Sequence, residues 1–75
     1  MGYYCYPVVI NEGEDGKFIA SCPSIAGCHT QGDTIPVAME NIREAIALCI
    51  EVMRDRGEPL PVPGTTVLSE VVVAA

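Results

Sequence analysis

The amino-acid sequence predicts a single α+β domain over residues 1–75, ordered β-β-β-α-β, with an antiparallel three-stranded sheet packed by one main helix. Three observations point there. The first part of the chain is rich in β-branched and aromatic residues punctuated by Gly and Pro. Residues 35–56 then repeat apolar side chains at helical spacing. A proline-rich connector at 58–64 leads finally to a valine-rich stretch at 65–73.

The first strand is expected over residues 3–10, where Tyr4, Tyr6, Val8 and Ile10 share one face and Tyr3, Cys5, Pro7 and Val9 the other. Pro7 has no N–H to give a ladder, so this strand belongs at an edge or carries a bulge there. Residues 11–16 end in Asp15-Gly16, a dipeptide suited to the positive φ of a hairpin turn. The returning strand, 17–22, places Phe18, Ala20 and Cys22 together, and Pro23 stops it. After a compact link at 24–27, residues 28–31 read as a third antiparallel strand.

Gly32-Asp33-Thr34 announces the helix, with Asp33 or Thr34 as the cap and Pro36 tolerated in the first turn. Within 35–56, Ile35, Ala38, Ile42, Ala45, Cys49, Val52 and Met53 fall on one side, which is expected to face the sheet. Met39, Ile46 and Ile50 widen the apolar arc, either as a dimer surface or under the C-terminal segment. Gly57 ends the helix, 58–64 is extended, and 65–73 is expected to form the last strand, paired within the sheet or with another protomer.

Composition bounds the function. A domain of 75 residues buries only roughly 60% of the surface its unfolded chain exposes, so self-association, as a homodimer at least, is expected to supplement its core. Ten acidic residues against four basic ones give a net charge of −6, which repels a phosphate backbone and attracts a basic protein; direct nucleic-acid binding is not expected. No apolar run is long enough to span a bilayer and no secretory signal is recognisable, so a cytoplasmic protein is expected.

Catalytic chemistry finds little support. The single histidine, His29, stands next to Cys28, and on a strand the two point to opposite faces. Cys5, Cys22, Cys28 and Cys49 match neither a Cys-x-x-Cys pair nor a zinc spacing, and read chiefly as buried thiols. No Gly-x-Ser-x-Gly elbow and no phosphate loop occur. The acids sit in the first turn, at the helix start and along the helix, rather than at strand centres where a two-metal nuclease would gather them. No catalytic residue, cofactor or metal site is therefore expected. Glu40, Glu44, Glu51 and Asp55 do fall within about 60° of helical arc, nearly opposite the core stripe. This acidic ridge, with Asp33 at the helix start, is the candidate surface for a basic partner; its plainer reading is a solvated face.

Taken in order, Tyr-Pro-Val-Val-Ile at 6–10, Glu-Asp-Gly at 14–16, Cys-Pro-Ser-Ile-Ala-Gly-Cys at 22–28, Thr-Gln-Gly-Asp-Thr at 30–34, Ala38-x-x-Asn41, Glu44-Ala45 and Gly-Glu-Pro-Leu-Pro at 57–61 resemble the HicB family of antitoxins. The resemblance covers roughly residues 6–61. It implies a degenerate ribonuclease H-like fold without its catalytic carboxylates, and a partner of the HicA type, a small basic mRNA-cleaving ribonuclease whose active site the antitoxin occludes. Under it, Gly16, Gly27 and Gly32 are expected to serve turns and Asn41 a local hydrogen bond. The DNA-binding extension of many members is not seen in the sequence, which narrows the expected role to neutralisation. An oligomeric module for another protein partner is the alternative, and a residual metal-dependent nuclease a weaker one.

Overall fold

The computed structural model describes residues 3–75. β1 (Val9–Glu12), β2 (Phe18–Ser21) and β3 (His29–Gly32) form an antiparallel sheet in the order β1-β2-β3, and α1 (Ile35–Asp55) packs on one face, chiefly against β3 and β2. Strand alternation decides what that face buries. Ile10, Phe18 and Ala20 turn toward the helix with Tyr6 and Val8, while Asn11, Ile19, His29 and Gln31 are exposed. The buried centre is Ala20, Cys22, Ile25, Cys28, Ala38 and Ile42. Ile42, only 1% exposed, contributes about 1.5–3 kcal/mol by leaving water.

The paired strands are shorter than the sequence suggests and shifted along the chain. Only Val9–Glu12 of the first expected strand is paired, and Asn11 and Glu12, expected in the turn, belong to the ladder opposite Ile19 and Phe18. Residues 3–8 continue without a strand neighbour, and Pro7 there has no N–H to offer one. The turn that remains, 13–17, is closed by Gly13 N–H donating to the Lys17 carbonyl (2.7 Å) and Lys17 N–H donating to Asp15 Oδ1 (3.1 Å). Gly16, at φ +81°, supplies the left-handed residue the turn requires. The third strand begins at His29 and extends through Gly32.

Gly32 was expected to serve a turn; its φ is not in the left-handed region, and its lack of a side chain matters for packing instead. A Cβ there would stand 2.5 Å from Ala38 N and 2.9 Å from Ala38 Cα, so the end of β3 touches the helix backbone directly. Asn41 strengthens the same junction by donating from Nδ2 to the Gln31 carbonyl at 2.9 Å.

Thr34 is the cap: it is extended (φ −134°, ψ 164°), and its Oγ1 accepts from Val37 N–H at 3.3 Å. Pro36 sits in the first turn, where an N–H is not missed. At the other end Gly57 is left-handed (φ +69°). Gly57 N–H bonds the Arg54 carbonyl (3.0 Å) and Glu58 N–H the Met53 carbonyl (2.9 Å), the paired bonds of a Schellman stop. Ile35 and Val52, expected in the core stripe, are 51% and 40% exposed: Ile35 is the first residue of the helix, and Val52 lies at the stripe's margin, beyond the reach of the narrow sheet.

The connector 58–64 carries neither helix nor strand, and Tyr6 holds it by donating its hydroxyl to the Pro61 carbonyl at 2.7 Å, across 55 positions of sequence. Residues 65–73 form no strand in the single chain. A strand needs a neighbour for its backbone N–H and C=O groups and cover for its apolar side chains. Nothing among the described residues supplies either, and Met39 on the helix stays half exposed instead of being covered by this segment.

Candidate partner-binding surface

The inner face of α1 is spent on the sheet, and its outer face is left to solvent. Glu40, Glu44, Glu51 and Asp55 are all exposed on it, along one line opposite Ile42. Arg43 Nη2 donates to both carboxylate oxygens of Glu40 at 2.9 Å, and this bond, more than the Coulomb attraction, raises the Arg43 pKa. Glu40 therefore spends its charge within the helix. Glu44, Glu51 and Asp55 have no ion-pair partner among the described residues, which concentrates the ridge's available charge toward the C-terminal half of α1. Asp33 is exposed ahead of the helix and neither caps it nor pairs with a base, so it joins the surface only at its N-terminal end.

The ridge has an apolar border that sequence reasoning did not identify. Val37, Leu48 and Val52 project within about 60° of one another beside the acids, and Leu48 is 61% exposed. Helical phase would have shown this: Val37 and Leu48 lie along the edge of the acidic line, next to Val52 at the margin of the core stripe. Leu48 and Val52 also line a cleft of about 290 Å³ with Ile25, Met53 and Arg56. Acidic groups bordering exposed aliphatic side chains provide both the charged and the apolar contacts of a protein interface.

The chemical groups are placed differently. Cys22 and Cys28 are buried, Cys49 is half-buried and Cys5 is exposed. Burial pushes the Cys28 thiol up to about 11, with a hydrogen bond to Cys49 adding to the shift, so the nucleophilic thiolate is scarce at neutral pH. His29 is exposed while its neighbour Cys28 is buried, as alternation along β3 requires. No group of three His, Cys, Asp or Glu side chains gathers as a metal would need among the described residues. Glu12 is a strand carboxylate that the sequence reading assigned to the turn; it ends β1, exposed, opposite Phe18. No helix among the described residues is long and apolar enough to cross a membrane.

Relatives share both the sequence and the fold. A UPF0150 protein of Synechocystis sp. is 45% identical over 58 residues, covering 77% of this chain and 73% of its own. A UPF0150 protein of Thermoplasma acidophilum is 41% identical over 56 residues, covering 75% and 81%. Antitoxin HicB 1 of Photorhabdus laumondii is 36% identical over 59 residues, covering 79% of this chain but 38% of that longer protein. The crystal structure of the N-terminal domain of Burkholderia pseudomallei antitoxin HicB superposes with a TM-score of 0.73 at 30% identity, covering 81% of this chain and 72% of that one. The family model described as "HicB_like antitoxin of bacterial toxin-antitoxin system" matches residues 6–73. With the β-β-β-α order, the Gly32 junction and the helix cap in the matched region, the chain belongs to the HicB-like antitoxin family of bacterial toxin-antitoxin systems.

Proposed function

We propose that this chain binds a HicA-like mRNA-cleaving toxin in the cytoplasm and neutralises it by occluding its active site, as a non-enzymatic homodimer. The observation carrying this reading is the exposed face of α1, where Glu44, Glu51 and Asp55 run beside Val37, Leu48 and Val52. A ribonuclease needs cationic groups to hold its polyanionic substrate, so an acidic ridge competes for the same groups. The apolar border then excludes water around the charged contacts. In this reading Glu40 and Asp33 lie toward the rim, and the fold is a reduced ribonuclease H-like sheet and helix used as a binding scaffold.

Co-expression tests the proposal. A HicA-like toxin that arrests growth alone is expected to be harmless beside this chain, and Glu44→Lys with Glu51→Lys is expected to restore arrest while leaving the helical circular-dichroism signal unchanged. Continued arrest with both wild-type proteins folded and expressed would overturn it.

A further inference from the structure

We infer that residues 65–73 form an exchange arm, which docks along the outer edge of β1 and into the adjoining groove of a second copy of this chain. The inference rests on the self-association proposed above and names the surfaces that achieve it. The arm is strongly apolar yet uncovered: Leu68 is 86% and Val72 100% exposed, and Val67, Val71 and Val73 are nearly as open. It also projects from the body. The radius of gyration is 14.3 Å, against about 11 Å for a compact chain of this length.

The acceptor is already formed. β1 pairs only with β2, which leaves its other edge without a neighbour. Beside it, Tyr6, Val8, Met39, Ile42 and Ile46 line a groove of about 680 Å³ between the N-terminal segment and α1. A nine-residue arm reaches about 30 Å when extended, comparable to the length of the helix that walls the groove. An added strand would satisfy its backbone at the β1 edge and turn alternate side chains into the groove. Arg43 stands at the groove, and Glu70 is the only charged residue of the arm.

In the single chain the arm does not fold back onto the groove. Tyr6 fixes Pro61 at the groove's rim, Pro61 and Pro63 hold the residues before them extended, and beyond Gly64 the arm stands open. Two copies then satisfy each other about one two-fold axis, each arm covering the β1 edge of its partner while the outer edge of β3 stays unpaired.

Sedimentation velocity and hydrogen exchange on the full chain test this together. The wild type is expected to sediment at twice the chain mass, with amides of 67–73 protected in a concentration-dependent way. Val71→Asp with Val73→Asp in the arm, and separately Met39→Glu in the groove, are each expected to give the monomer mass and an unprotected arm with the helical signal intact. A monomeric wild type would overturn both self-association and the arm, whether or not residues 67–73 are protected. A dimer that persists in the arm and groove variants would overturn the arm alone. Toxin neutralisation is scored separately in the co-expression assay, so its failure is distinguishable from either result.

Discussion

Two residues show how packing sets roles that composition leaves open. Gly32 occupies the point where β3 meets the helix backbone. Gly32→Ala is expected to cost about 1–3 kcal/mol from overpacking, measured as a lower urea midpoint, whereas Gly13→Ala meets no contact closer than 3.2 Å and is expected to cost less. Cys28 makes a pH prediction. Its folded pKa, about 11, lies above the 9.0 of an ordinary thiol, so the folded state holds the proton more tightly. This contribution to stability is complete below about pH 9 and is lost as pH rises toward 11; replacing the thiol by Cys28→Ala is expected to flatten chemical-denaturation stability across that window. The buried cysteines were legible in the sequence because Cys22 alternates with Phe18 and Ala20. The role of Gly32 was not, because a turn glycine and a close-packed glycine look alike until the approaching backbone is known.

At the scale of elements, the helix was the most legible part and its margins the least. Caps, core side and stop follow from residue types whose local chemistry differs, and the structure only had to choose Thr34 over Asp33. Thr34→Ala is expected to lower stability by about 0.5–2 kcal/mol in thermal or urea unfolding, and Asp33→Ala by much less, since only Thr34 accepts a first-turn N–H. The strands were legible as faces but not as pairings. Alternation grouped Tyr6, Val8 and Ile10 on one face and Phe18 with Ala20 on another, and the structure turns both groups inward, yet alternation carries no information on where a neighbour begins, so the ladder slid to Val9–Glu12. The border of the acidic ridge was missed for a related reason. Val37, Leu48 and Val52 are ordinary core residues by type, and a sheet of three short strands leaves them outside its width.

For the whole molecule, charge governs encounter as well as affinity. Raising salt from low to physiological strength is expected to slow association of the wild-type chain with a basic toxin, and the Glu44→Lys, Glu51→Lys variant is expected to lose most of that salt dependence in stopped-flow binding. Purified protein with RNA and Mg²⁺ is expected to give no cleavage on a gel, the result required of a binding protein and opposite to that of a residual nuclease.

The Tyr6–Pro61 hydrogen bond marks where the secured body of the chain ends. Beyond it, Leu68 stands open outside any helix or strand, in the kind of segment a protease cuts. A chymotryptic cut there is expected in dilute protein and to be suppressed at concentrations that cover the arm. The protein's lifetime would then depend on its own abundance, with scarce copies trimmed first.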